Sequence, residues 1–245
     1  MVDLKNEQQS AIDAHGIIGD MRSAALVNDK GSIDFFCWPE FDSPSIFCSL
    51  LDSPDAGIFQ LTPDLPNARR EQIYLPDTNV LQTRWLSDQA VVEITDLLVI
   101  SEEIDDLPLL IRRVRVVSGK ADIHLRCAVR HDYARTPTHA ALDNGTVVFT
   151  AGGQPGLRLS GSHPLQLEND AAVASFALDQ EEGAEFVLGG QEVAVPGKAS
   201  APNFAAAFFP FRSRFSPMPN RRAASAMESP CSVIIRNAWS LNSRV

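Results

Sequence analysis

Between residues 24 and 188 the chain is a succession of short apolar runs broken by turn signals. The runs 24–27 and 33–36 flank Asn28-Asp-Lys-Gly31, a hairpin turn with glycine where a positive φ is needed. The runs 80–86 and 91–98 flank Ser87-Asp-Gln89. The runs 109–117 and 121–129 flank Ser118-Gly-Lys120, and 173–178 and 185–188 flank an acidic turn ending in Gly183. Asn144-Gly145 introduces the run 146–151. Several runs alternate with a period of two. Val92, Ile94, Asp96 and Leu98 share one face, opposite Val91, Glu93, Thr95 and Leu97. Leu110, Arg112, Val114 and Val116 oppose Ile111, Arg113, Arg115 and Val117. Ile123, Leu125 and Cys127 alternate with His124, Arg126 and Ala128. That is the pattern of antiparallel strands with one wet face. About a dozen such strands predict an all-β chain, a large antiparallel β-sandwich. One short helix is expected over residues 45–51, entered from Ser43-Pro44. No twelve-residue amphipathic helix precedes Glu192, which disfavours α/β folds.

Charge divides the chain. Residues 1–192 carry a formal charge of −16 and residues 193–245 one of +6, with Glu228 as the single acid there. The second segment has no lasting period of 2 or 3.6, and Pro196, Pro202, Pro210, Pro217 and Pro219 interrupt it. The expected organisation is a sandwich domain at 1–192 followed by a basic, irregular Pro/Phe/Arg-rich tail at 193–245, in origin a disordered extension or an out-of-frame remnant. Poor order from about residue 197, and self-association through a bare apolar face, are expected with it. The net charge of −10 disfavours a nucleic-acid binder. A polar N-terminus, and no apolar run of membrane length, give no sign of a signal peptide or a membrane span and point to the cytoplasm. The four cysteines, Cys37, Cys48, Cys127 and Cys231, form no C-x-x-C pair and read as reduced thiols.

Candidate chemistry is sparse. No glycine-rich phosphate loop, H-E-x-x-H or G-x-S-x-G occurs, so no metal and no cofactor are expected. His131, Asp132 and His139 could approach across a loop, with a partly exposed loop histidine as the simpler expectation. "GSIDFFCWPEFDSP" (residues 31–44) packs four aromatics, three carboxylates and two prolines into fourteen residues. Asp34 is expected to point away from Ile33 and Phe35. Glu40 and Asp42, on one side of an extended segment, would lie ~6–7 Å apart, a spacing that suits an inverting glycosidase pair. The alternative is that Phe35, Trp38 and Phe41 pack while the acids cap turns. Trp38, Phe41 and Asp42 are the candidates for substrate binding, with Trp85 as a further stacking platform. Arg130-His-Asp-Tyr-Ala-Arg135 is expected to form a buried network that holds a loop.

Residues 16–52, "GIIGDMRSAALVNDKGSIDFFCWPEFDSPSIFCSLLD", resemble the opening of bacterial glycoside hydrolase family 15 proteins, the glucoamylase-like and trehalase-like enzymes. The match runs through Ile18-Gly-Asp20, Arg22, Ala24-Ala-Leu-Val27, Gly31-Ser-Ile-Asp34, Cys37, Pro39 and Phe41-Asp-Ser-Pro44. It departs at Ser23, Phe35 and Glu40, the last with a reversed charge. "VVEITDLLVI" (91–100) and "RRVRVVSGKADIHLRCAVRHDYAR" (112–135) are similar to later family segments, with Asp132, Tyr133 and Arg135 in place and His131 and Ala134 departing.

The resemblance implies the family's N-terminal β-sandwich over about residues 10–190. It implies that the two catalytic glutamates belong to a helical barrel, of which only "SVIIRNA" (232–238) is a faint echo. The chain is therefore expected to be a truncated family member with no catalytic residue of its own, its partners being a helical catalytic domain and an α-glucan or trehalose. A stand-alone carbohydrate-binding module is the alternative, and a small hydrolase using Glu40 and Asp42 a third reading.

Overall fold

The computed structural model describes residues 10–100 and 107–190. Fifteen strands cover most of them: β1 (His15–Gly19), β2 (Ala24–Asn28), β3 (Ser32–Cys37), β4 (Ser45–Phe47), β5 (Ile58–Pro63), β6 (Arg69–Tyr74), β7 (Leu81–Leu86), β8 (Ala90–Leu98), β9 (Leu110–Ala128), β10 (Thr138–Asp143), β11 (Thr146–Ala151), β12 (Gln154–Gly161), β13 (Gln166–Glu168), β14 (Ala171–Asp179) and β15 (Gly183–Gly190). Helical structure among the described residues is limited to two three-residue 3-10 turns, Ile12–Ala14 and Pro54–Ala56. The all-β expectation holds. The strands form one open, antiparallel, hydrogen-bonded system rather than two separate sheets.

β9 is its spine. Over residues 110–119 it pairs with β8, and over 110–115 with β15. Over 120–128 it pairs with β14 and β5. One half of the sheet contains β1–β5, β13 and β14; the other contains β6–β8, β10–β12 and β15. The two expected reversals at Ser118-Gly-Lys120 and Asp179–Gly183 do not occur. Both segments bend but continue in the same direction, and Glu181 N–H donates to Val116 O while Val116 N–H donates to Glu182 O. These turn residues form a matched kink across two neighbouring strands, where each chain passes from one half to the other. Gly119 takes φ +78° there, and a bulge opposite Val91 and Val92 absorbs the extra residue.

The halves clasp one core. Phe36, Phe47, Phe59, Ile33 and Leu125 of one half and Ile94, Val114, Phe149, Phe186 and Leu81 of the other belong to a single buried cluster. Fully burying each such side chain contributes about 1.5–3 kcal/mol. Polar bonds cross between the halves as well. Gln72 Nε2 donates to Val27 O (3.2 Å) and Asn28 O (3.1 Å), and Tyr74 bonds both backbone groups of Ile17.

Alternation sets the core face as the sequence predicts: Val92, Ile94, Asp96 and Leu98 of β8, and Leu110, Arg112, Val114 and Val116 of β9, are buried, while the opposite face is only partly wet, since Glu93, Leu97 and Ile111 are buried too. Asp96 and Arg112 stand directly opposite each other in register. Both are fully buried, joined through Arg112 Nε to Asp96 Oδ1 (2.8 Å) and Nη2 to Oδ2 (3.2 Å). The same guanidinium donates to Gly31 O and Phe59 O of the other half and lies 4.8 Å from the Phe59 ring centroid.

Two local expectations change. Residues 45–51 are not helical: Ser45–Phe47 is strand β4, with Phe47 opposite Phe36. All three of its side chains are buried, and ladder pairing and burial outweigh the local helix signal. Trp38 and Ile46 are buried as expected, but Phe35 is only half-buried and Phe36 fills the core. A bulge opposite Leu26 and Val27 shifts the pleat, so that Ile33 and Phe36 face inward. The expectations for residues 193–245 lie outside the described residues.

Candidate functional site

Antiparallel connection brings three segments side by side at one end of the first half. They are the β1–β2 turn (20–23), the β3–β4 loop (38–44) and the segment following β9 (129–137). Asp20 Oδ1 accepts from the backbone N–H groups of Arg22 (2.9 Å) and Ser23 (2.7 Å) and closes the first turn. The hydroxyl of Ser23 donates to Cys37 O at the base of the second loop. Phe41 N–H donates to Arg22 O at 2.9 Å, so the loop tip is tied to the turn. On the other side, Arg130 N–H donates to Ile46 O (3.0 Å) and Tyr133 N–H to Ser45 O (3.2 Å), which lays the third segment along β4.

This edge displays large side chains. Met21 is 65% exposed, Phe41 60% and Tyr133 40%. Its backbone is strained as well. Met21 sits at φ 75°, and Asp132, Tyr133 and Ala134 follow one another at φ 54°, 55° and 60°. Consecutive left-handed positions cost an L-residue roughly 1–2 kcal/mol each and persist only where the surroundings fix them. Here Arg135 N–H donates to Asp132 O, and Arg135 Nη2 holds Asp132 Oδ1 at 2.8 Å. The same guanidinium lies 5.1 Å from the Tyr133 ring centroid. Beneath them His131 is buried, with its N–H and Nδ1 both at Thr138 Oγ1. The Tyr133 hydroxyl bonds the Cys37 thiol. Burial raises the Cys37 pKa despite that bond, and the Tyr133 pKa is raised chiefly by the neighbouring sulfur, so both keep their protons at neutral pH.

The residues singled out by sequence are thereby placed. Phe41 and Asp42 are exposed at the loop tip. Trp38 is buried at its base and Trp85 is buried in β7, so neither offers a free ring face. Trp38 Nε1 and Ser45 Oγ, both buried beneath the loop, have no hydrogen-bond partner among the described residues. Glu40 and Asp42 do not share an extended segment: Ser43 N–H donates to Glu40 O (3.1 Å), closing a turn with both carboxylates at the surface. The Arg130–Arg135 segment is not a buried network, because the Asp132–Arg135 pair is solvent-facing. His131 is buried rather than partly exposed, and His139 lies exposed on β10. Met21 carried no sequence signal beyond the Asp-x-x-Ser spacing that builds its turn. No group of three metal-ligating side chains occurs among the described residues.

Buried carboxylates elsewhere are engaged in structural contacts. Asp34 Oδ2 binds His15 Nε2 at 2.8 Å and Asn28 Nδ2 at 3.0 Å, with the other His15 nitrogen at Ala11 O. Glu93 pairs with Arg84, and Asp96 with Arg112. Cys37, Cys48 and Cys127 are free and buried. No described helix is long and apolar enough to cross a membrane.

Comparison with known proteins agrees with this architecture. The sequence profile of a family described as trehalase-like, N-terminal, matches residues 3–189. The chain is 29% identical over 186 residues to the trehalase of Mycobacterium tuberculosis, covering 65% of this chain and 27% of that protein. It is 30% identical over 180 residues to the trehalase of Thermoplasma volcanium, covering 72% of this chain and 29% of that protein. Over 100 residues it is 42% identical to trehalase 1 of Sulfolobus acidocaldarius, covering 41% of this chain and 16% of that protein. The chain thus spans under a third of the length of these relatives. With a profile match over most of its length and an all-β fold over the described residues, the chain belongs to the trehalase-like N-terminal domain family.

Proposed function

We propose that residues 10–190 form the non-catalytic β-domain of a glycosidase of the glycoside hydrolase family 15 type, acting on trehalose in preference to larger α-glucans. Bond cleavage in this reading is the work of a helical catalytic domain, and the β-domain alone has no hydrolase activity. The observation that carries it is the fate of the acids. Hydrolysis by inversion needs two carboxyl groups facing one sugar, one of them a protonated acid in a dry setting. The buried carboxylates described here are bound to arginine, histidine or backbone N–H groups, while Glu40 and Asp42 sit in water on a turn. The trehalase names of the relatives support trehalose as the sugar. The free, buried thiols suit a reducing, cytoplasmic setting.

The test is an exchange. Residues 1–190 replace the corresponding segment of the Thermoplasma volcanium trehalase, and glucose release from trehalose is measured. The chimera is expected to hydrolyse trehalose, the relative without its segment to lose activity, and the 245-residue chain alone to release none. Glucose release by the chain alone, abolished in the double variant Glu40→Gln, Asp42→Asn, would overturn the proposal in favour of a small hydrolase.

A further inference from the structure

We infer that β6 is a docking edge for a second copy of this chain, the two β6 strands pairing antiparallel about a two-fold axis at Gln72; this stands apart from the glycosidase reading. Five strands have a single partner in the sheet: β1, β4, β6, β10 and β13. The outward N–H and C=O groups of such a strand invite another strand unless something occupies them. At β1 the Tyr74 hydroxyl occupies both backbone groups of Ile17, and Asn79 Nδ2 donates to Gly19 O. Along β4, Ser45 O and Ile46 O accept from Tyr133 and Arg130. At β10, Ala140 N–H donates to Asp170 Oδ1 at 3.0 Å. β13 is three residues long. β6 differs from all four. Leu75 N–H donates to Val80 O, which fixes the phase of the β6–β7 ladder. Glu71 and Ile73 therefore bond to β7, and the backbone groups of Arg70, Gln72 and Tyr74 point outward. These outward groups have no partner among the described residues.

The edge is bare but not loose. Its outward-bonding residues send their side chains to the other half of the fold. Arg70 lies 3.6 Å from Asp29, Gln72 donates to Val27 O and Asn28 O, and Tyr74 holds Ile17. A strand already held extended loses little freedom when another strand pairs with it. A second copy brings an equally ordered strand, whereas a disordered peptide loses its freedom on docking.

The side chains of β6 complement themselves in one register. With the axis at Gln72, Arg70 faces Tyr74 of the second copy and Glu71 faces its Ile73. About six main-chain hydrogen bonds form, two for each facing pair of outward residues. No like charges stand directly opposite, and Glu71 keeps its own partner Arg69. A shift of two residues one way would set Glu71 against Glu71 of the second copy. The same shift the other way would require an N–H from Pro76, which has none. The contact is the same patch on both molecules, so it closes at two and does not propagate. A six-residue edge is small beside the ~1,200–2,000 Å² of a stable interface, so the dimer is weak and concentration-dependent.

Sedimentation equilibrium of the full chain, over about a hundredfold range of concentration, tests this. A reversible monomer–dimer equilibrium is expected. Ile73 is 44% exposed on the side away from the core, so substitutions there reach the partner and spare the monomer. Ile73→Glu places carboxylates opposite each other twice and is expected to weaken the dimer about tenfold, while Ile73→Arg, opposite Glu71, is expected to tighten it severalfold. Leu142→Glu on the exposed face of β10 is expected to change nothing. Near-ultraviolet circular dichroism verifies that each variant is folded. Amide hydrogen exchange read residue by residue supplies the second measurement. Protection of Arg70, Gln72 and Tyr74 should rise with protein concentration, while Glu71 and Ile73 stay protected throughout. A monomer at every concentration would overturn the inference. So would association that responds alike to Ile73→Glu and Ile73→Arg, or protection of the three outward amides that is independent of concentration, which would mean that the edge is covered within one molecule.

Discussion

Glu185 shows how burial at a single residue becomes a pH effect. It lies on β15 and its carboxyl pKa is raised by burial, with Arg113 opposing the rise. A raised carboxyl pKa favours the protonated form in the folded state. Its contribution to stability is therefore present below the unfolded pKa and lost as pH rises through the folded value. Glu185→Gln removes the ionisation and is expected to raise the melting temperature at pH 7, with the gain fading towards pH 4. A gain that is constant across this range would show that packing, and not charge, is responsible. Cys127 is a second case: complete burial pushes its thiol far up, so alkylation of the native chain followed by peptide mapping should leave Cys127 unmodified. At this scale the sequence was informative for residues whose role follows from apolarity, such as Ile46 and Trp38. It was less informative for Met21 and Tyr133, whose left-handed φ rests on local turn bonds, such as Asp20 to Ser23 and Arg135 to Asp132, together with contacts to distant segments, such as Tyr133 N–H to Ser45 O, that local residue types do not reveal.

Strand identity and facing were legible because a two-residue period survives in composition wherever one face is buried. β9 shows it over much of its length and β8 only around Val91 and Thr95, its other positions being buried on both faces, with Arg112 and Asp96 as the instructive exceptions on the core face. What the period could not convey is the direction of the chain after a glycine. Ser118-Gly-Lys120 and Asp179–Gly183 use the same residue types as a true reversal such as Asn144-Gly145, where φ is positive at both central positions. Only pairing with the partner strand distinguishes the kink from the turn. Gly119 carries that distinction. A Cβ there would lie 2.1 Å from Gln89 O, and φ is +78°. Gly119→Ala should therefore lower the free energy of urea unfolding by more than about 1 kcal/mol, since both the conformation and the space forbid it. A neutral substitution would mean that the kink relaxes and that the two halves are less tightly coupled than the ladder implies.

For the molecule as a whole, the question is what keeps the two halves of one sheet folded over each other. Apolar burial does most of this without choosing an arrangement, whereas the Arg112 guanidinium can be satisfied in only one. It binds Asp96 across the ladder of its own half and carbonyls of Gly31 and Phe59 in the other, with both side chains fully buried. Breaking a buried ion pair costs about 3–5 kcal/mol because a charge is left uncompensated, while replacing both partners by apolar groups is often close to neutral. Arg112→Met alone is expected to lose that amount, since Asp96 is then buried unpaired and the two carbonyls lose their donor. The double variant Arg112→Met, Asp96→Leu removes the stranded charge, and it should recover part of the loss but not all, because the orphaned carbonyls of Gly31 and Phe59 remain. Urea unfolding followed by tryptophan fluorescence and by circular dichroism gives both numbers, and tests whether the halves unfold together. Coincident transitions in the wild type that separate in the double variant would identify Arg112 as the link between halves. A double variant as damaged as the single would show instead that the carbonyl contacts, and not the ion pair, set its importance.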